Sequence, residues 1–243
     1  MRNKNAKQRF ISNYFWSWSI LERIFLVLAF VVPVSLGVIF QSSLLQISAS
    51  SVTMIASLLF AKARIEGFVV SLIGMALFGI VAFNNRLFGE VGVLILFGLP
   101  AQIAGVISWR KALNKTGDNK LAKIQIRRTS LKEITILVLI CVVLSIGLYF
   151  LLAAIDTNLL LLSTISVVFT VFGTILMIRR SHLGTLGFAL NDVSNFLLWL
   201  TIVLLGDITA IVMIVQPIML LINNTYGVFE WHKMLRIQEL EAQ

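Results

Sequence analysis

This chain is short of charge. Charged residues make up 13% of its 243 positions, against roughly 25% in an ordinary soluble domain. With 58% of residues hydrophobic and a mean hydropathy of +0.95, a water-soluble fold of this length could not hide its apolar surface, whereas a bilayer can. The single cysteine, Cys141, lies inside an apolar stretch. It excludes a disulfide framework and reads as a small packing side chain. The only two histidines, His182 and His232, fall at ends of apolar segments, so no buried imidazole is available as a base. There is no Gly-x-Ser-x-Gly elbow, no His-Glu-x-x-His and no phosphate-cradling glycine loop. These absences argue against an enzyme, a metal site and a bound cofactor. A cleavable leader is not expected either: the apolar run after the basic start is too long and lacks a small-residue cleavage site.

What is present is a succession of eight apolar segments, approximately Ile20–Phe40, Ile47–Ala61, Gly67–Phe83, Val91–Ser108, Ile134–Ala154, Leu159–Ile178, Leu186–Leu205 and Ile208–Phe229. Each is long enough to cross a bilayer as a tilted helix. Only Gly206-Asp207 separates the last two, which forces an antiparallel hairpin. The fold class is therefore an all-α membrane protein.

The cations give it an orientation. Of the 20 Lys and Arg residues, all but Arg86 fall on the side of the N-terminus when gaps are counted alternately. The richest stretch is Arg110–Lys132. The opposite gaps hold Arg86 with Glu90, Asp156 and Asp207. The positive-inside rule then puts both termini in the cytoplasm. The basic loop has no interleaved aromatics or recognition fold that would suit nucleic acid; it reads as an orientation signal near anionic headgroups of membrane lipid.

Two stretches share landmarks. Gly67-Phe68, Leu87-Phe88-Gly89-Glu90, Ala104-Gly105 and Trp109-Arg110-Lys111 are echoed by Gly187-Phe188, Leu204-Leu205-Gly206-Asp207, Tyr226-Gly227 and Trp231-His232-Lys233. Segments 2–4 then match segments 6–8. An even shift keeps both units in the same orientation, a parallel repeat about an axis along the membrane normal. Two parallel three-helix bundles, 47–111 and 159–232, follow. They are joined by a basic loop and linker helix over 112–158. Residues 1–46 add an N-terminal stretch with an extra helix, and 233–243 a cytoplasmic tail.

Polar side chains inside the apolar segments carry the functional signal, because the bilayer penalises them. An ionised carboxylate at mid-helix costs about 2.5–3.5 kcal/mol on insertion scales, so Asp192 should face the interior. Asp192, Asn195 and Trp199 share one side of segment 7, as do Asn191 and Asn195. Segment 8 adds Gln216, Asn223, Asn224 and Tyr226, with Gln216 and Asn223 read as one face. Segment 4 adds Gln102 on a line with Gly98, Gly105 and Trp109. Pro100 and Pro217 would kink their helices beside these residues. Such groups can serve as helix–helix glue, worth about 0.6 kcal/mol each, or line a polar cavity; their number and clustering favour the cavity. Asp192 is read as the sole intramembrane acid, without a second carboxylate on a neighbouring helix. That argues against a two-carboxylate protease, against a proton relay, and for uncoupled transport. A non-transport scaffold or partner subunit would need no such converging face.

The run Asn191-Asp192-Val193-Ser194-Asn195-Phe196-Leu197-Leu198-Trp199, followed by Asn223-Asn224-Thr225-Tyr226-Gly227-Val228-Phe229-Glu230-Trp231, resembles the C-terminal signature of the PnuC family. Gly67–Lys111 resembles its first half, and the likeness spans about residues 47 to 235. The resemblance implies a bacterial cell-membrane transporter of nicotinamide riboside or, in sister groups, of thiamine, riboflavin or deoxynucleosides. It implies a fold like a full-length SWEET protein, facilitated diffusion, trapping of substrate by a cytoplasmic kinase, and a homotrimer. Substrate would be held by Gln102, Asn191, Asp192, Asn195, Trp199, Gln216, Asn223, Asn224 and Tyr226. Many members also carry a Glu and two Trp residues entering the seventh helix. Here that stretch is Ser181-His182-Leu183-Gly184-Thr185-Leu186-Gly187, so Trp199 or Tyr226 would have to stack on the substrate ring, or the substrate differs.

Overall fold

A computed structural model describes residues 18–115 and 125–241. The cations Arg2, Lys4, Lys7, Arg9, Lys120 and Lys123 lie outside the described residues. The described chain is helical, with eight helices long and apolar enough to cross a membrane. They are α1 (Ile20–Ile39), α2 (Leu44–Ala61), α3 (Glu66–Asn84), α4 (Phe88–Lys111), α5 (Leu131–Ala154), α6 (Leu160–Ile178), α7 (Gly184–Leu204) and α8 (Ile208–Glu241). Helix α4 is composite: an α-helical start, Phe88–Val93, passes through a π-helical stretch, Leu94–Gly98, into Leu99–Lys115. The π stretch ends just before Pro100, whose missing amide cannot bond the preceding turn. A short 3-10 turn, Ile208–Ala210, opens α8, which then runs on to Glu241; the stretch after Lys233 continues the helix.

Helix α2 packs on α3, α3 on α4, α4 on α6, α6 on α7, α7 on α8, and α8 back on α2. Six helices thus close a ring. Helix α1 packs outside it on α2 and α8, and α5 packs outside it on α6. Helix α6 crosses α7 closely, where a Cβ added at Gly187 would come within 2.4 Å of the Gly173 Cα. Only glycine allows two helices that near.

The joints of α1–α4 recur in α5–α8. Ser19 caps α1 and Ser130 caps α5, each in a capping box with the acid three residues on, Glu22 and Glu133. Glu22 then pairs with Lys62, the C-cap of α2, and Glu133 with Arg179, the C-cap of α6. Left-handed residues follow the first three helices of each half: Gln41, Ala63 and Arg86 in one, Asp156, Arg180 and Gly206 in the other. The Trp109 indole at the end of α4 donates to the Met177 carbonyl of α6 (3.2 Å). The Trp231 indole of α8 donates to the Phe60 carbonyl of α2 (3.1 Å). The shared landmarks therefore reach α1 and α5 as well as the ring helices.

Two apolar clusters bracket the middle of the ring. One, at the end where α1 begins, α4 and α8 finish and most of the described cations lie (the basic end), gathers Phe60, Phe68, Trp109, Met177 and Trp231. The other, toward the opposite end, gathers Val81, Leu87, Leu198, Trp199 and Met213. Over the basic end lies the close of the long loop: Arg127 bonds the backbone of Arg180 and His182, Ile126 bonds Gln238, and Arg128 pairs with Glu239.

Candidate substrate site

Between the two clusters lies a cavity of about 190 Å³, the size range in which an enclosed site takes up one small aromatic molecule. Every ring helix contributes a stripe at helical spacing. The main contributions are Thr53 and Ser57 from α2, Phe78 from α3, Glu90 and Gln102 from α4, Thr170 and Thr174 from α6, Asn191, Asp192, Asn195 and Trp199 from α7, and Gln216 and Asn224 from α8.

The polar wall is organised by one hydrogen-bonded chain. The Asn223 amide donates to Ser57 Oγ (2.7 Å), Ser57 Oγ donates to Asn224 Oδ1 (3.2 Å), and Asn224 Nδ2 donates to Asp192 Oδ2 (2.7 Å). It ties α2, α8 and α7 together and gives the buried Asp192 a neutral donor. On the other side, Ser166 Oγ of α6 donates to Asn191 Oδ1 (3.1 Å), and Asn195 Nδ2 donates to the Asn191 carbonyl (3.3 Å). Trp199 is fully buried with its ring 6.1 Å from that of Phe78, edge to face; the two rings form an aromatic wall.

Four buried oxygens on the lining have no hydrogen-bond partner: Glu90 Oε1, Gln102 Oε1, Asn195 Oδ1 and Gln216 Oε1. A buried polar atom without a partner costs about 1–3 kcal/mol. Four of them around one cavity mark a place made to receive hydrogen-bond donors. No Lys, Arg or His lines the cavity, and among the described residues no cluster of His, Cys, Asp and Glu could hold a metal ion.

Seven of the nine residues singled out in the sequence line this cavity: Gln102, Asn191, Asp192, Asn195, Trp199, Gln216 and Asn224. Two do not. Asn223 stands behind the wall, bonded to Ser57. Tyr226 lies toward the basic end, where its hydroxyl donates to Glu22 Oε1 (3.3 Å). The cause is helical pitch: the cavity-facing stripe of α8 is Gln216, Leu220 and Asn224, and neither Asn223 nor Tyr226 falls on it.

The second correction concerns Glu90. Asp192 is not the sole acid of the interior: Glu90, 4% exposed, lines the same cavity. The sequence reading treated it as the loop counterpart of Asp207. Asp207 does stay at its turn, accepting from the Thr209 amide (3.2 Å), but Glu90 sits in the first turn of α4 and is buried. A lone acid opening an otherwise apolar segment was the available signal. With two carboxyls in one cavity, the argument against acid–acid chemistry falls, and the transporter reading rests on kinship and on the cavity.

The family model described as nicotinamide mononucleotide transporter matches residues 43–233. The nicotinamide riboside transporter PnuC of Neisseria mucosa is 24% identical over 226 residues, covering 91% of this chain and 84% of that protein. The crystal structure of the vitamin B3 transporter PnuC shares the fold, with a TM-score of 0.79 at 22% identity over 90% of this chain and 93% of that one. This multi-pass, all-helical chain belongs to the PnuC family of nicotinamide riboside and mononucleotide transporters.

Proposed function

We propose that this chain carries nicotinamide riboside across a bacterial cytoplasmic membrane by facilitated diffusion, with its basic end in the cytoplasm and a cytoplasmic kinase trapping the product. The observation that carries the choice of riboside over mononucleotide is the cavity's inventory. Its unpartnered atoms are acceptors, its ionisable groups are acids, and no cation lines it. A ribose and a carboxamide supply donors to such a wall. A phosphate monoester, with a charge near −2 at neutral pH, would enter beside two acids with no cation to answer it. The Trp199 and Phe78 wall suits the flat ring. Uncoupled movement is supported by the neutral partner of Asp192, the Asn224 amide, since coupled carriers pair their intramembrane acids with groups that change along the cycle.

Purified protein in kinase-free vesicles tests this reading. Labelled nicotinamide riboside is expected to enter until inside and outside levels are equal, with or without an imposed proton or sodium gradient. The mononucleotide is expected to stay out. Accumulation above the external level, abolished by Asp192→Asn or by Glu90→Gln, would show that a coupling site has been read as a binding residue.

A further inference from the structure

The cavity holds two carboxyls in different circumstances. Asp192 belongs to the hydrogen-bonded chain through Asn224, Ser57 and Asn223, so it is fixed whether or not the cavity is filled. Glu90 lies beside Ser166 of α6, and its Oε1 is buried with no partner. A hydroxyl that also serves Asn191 can answer one carboxyl oxygen of this cavity-lining residue and leaves the other without a partner. Burying a carboxylate is costly unless a counter-charge or donors meet it, and the lining offers no Lys, Arg or His. The partner must come from what enters.

Resting on the riboside reading above, we propose that Glu90 is a specificity-determining residue that reads positive charge on the transported molecule. It pairs with the cationic ring of a pyridinium riboside and sets the preference for that cation over an uncharged ring of nearly the same shape. Asp192 and the amides then hold hydroxyl and carboxamide groups, whose hydrogen bonds do not depend on the ring's charge. Such a division explains why one acid is tied into the scaffold and the other is left open.

The test compares nicotinamide riboside with its uncharged dihydro form, which keeps the amide and the sugar. Both are titrated by calorimetry into wild type and Glu90→Gln, with thermal unfolding recorded for each. Wild type is expected to prefer the cation by at least about tenfold, the size of one well-made charge contact, and in Glu90→Gln that preference should collapse toward unity. An unchanged preference in the variant, or an equal loss of both ligands, overturns the role of Glu90 while leaving the riboside reading intact. Wild type showing no preference also overturns it, whatever the variant does. Wild type binding neither form overturns the riboside reading, and the proposal with it.

Discussion

The half of the molecule built from α1–α4 and the half built from α5–α8 turn at the same joints, yet they load the cavity differently. Each begins with a Ser-capped helix whose first-turn acid reaches the next helix's C-cap cation, and each ends with an indole bonded across to the other half. Polar groups are shared unequally. The second half brings Thr170, Thr174, Asn191, Asp192, Asn195, Gln216 and Asn224; the first brings Thr53, Ser57, Ser71, Glu90 and Gln102, the last two on a helix interrupted by a π stretch. Helix starts differ as well: Ser43 caps α2 in a capping box with Gln46, whereas α6 begins at the left-handed Leu159 with no side-chain cap. The lesson is that joints answer to backbone geometry and tolerate little, while the inward face of each helix is free to diverge toward a ligand.

The largest effect should come from the indoles. Trp109→Ala and Trp231→Ala each empty a fully buried site and remove a bond between halves. Each is expected to cost about 3–5 kcal/mol, by similar amounts, in unfolding measured in detergent. A large loss at one and none at the other would break the equivalence of the two joints.

The ion pairs sharpen the contrast. Glu22 is buried and Lys62 nearly so, whereas Arg179 is about half exposed and Glu133 keeps Arg127 as a second partner. Lys62→Met leaves the Glu22 carboxyl buried without its cation and should cost about 3 kcal/mol. Arg179→Met should cost clearly less, because water and Arg127 take over. Equal losses would show that exposure does not separate the two pairs.

The smallest effect is a pH dependence carried by one turn of the second half, to be read as the difference between wild type and His182→Gln. Burial, and next the His232 ring 5.0 Å away, hold the His182 imidazole below its ordinary value of 6.5; Arg128 lowers it further, while the Arg127 backbone and Glu239 work the other way. The neutral form is favoured in the folded state. Its stabilisation is complete above pH 6.5 and is lost as pH falls from there toward the lowered folded value. Unfolding measured from pH 7.5 down should show this decline, flattened in His182→Gln. The matching turn at Lys62–Ile65 has no imidazole and should add nothing.

Much of the fold was legible because a membrane helix announces itself by length and apolarity, and the segments read from sequence fall within a few residues of α1–α7. The far end of α8 was not, because past Phe229 the helix leaves the apolar pattern while continuing its hydrogen bonding. The matching indoles Trp109 and Trp231 were legible, but the register of the recurring joints was not. Gly67-Phe68 echoes Gly187-Phe188 in letters, whereas the left-handed residues Ala63 and Arg180 align Gly67 with Gly184. Backbone handedness at a non-glycine residue leaves no mark in the sequence. Within the site, Asp192 and its neighbouring amides stood out because hydrocarbon makes polar groups conspicuous. Glu90 did not, because at the edge of an apolar run burial and exposure look alike. Asn223 shares a helical face with Gln216 by its spacing of seven, but the cavity-facing stripe of α8 drifts through Leu220 to Asn224 and leaves both Asn223 and Tyr226 off it.

The central claim is that the polar wall between the two apolar clusters is the substrate site. Titration of nicotinamide riboside into wild type, Asn195→Leu, Gln216→Leu and Tyr226→Phe addresses it, with unfolding recorded for each. The account predicts at least about tenfold weaker binding in the two cavity variants, with both still folded, and binding close to wild type in Tyr226→Phe. Undiminished binding in both cavity variants would contradict it.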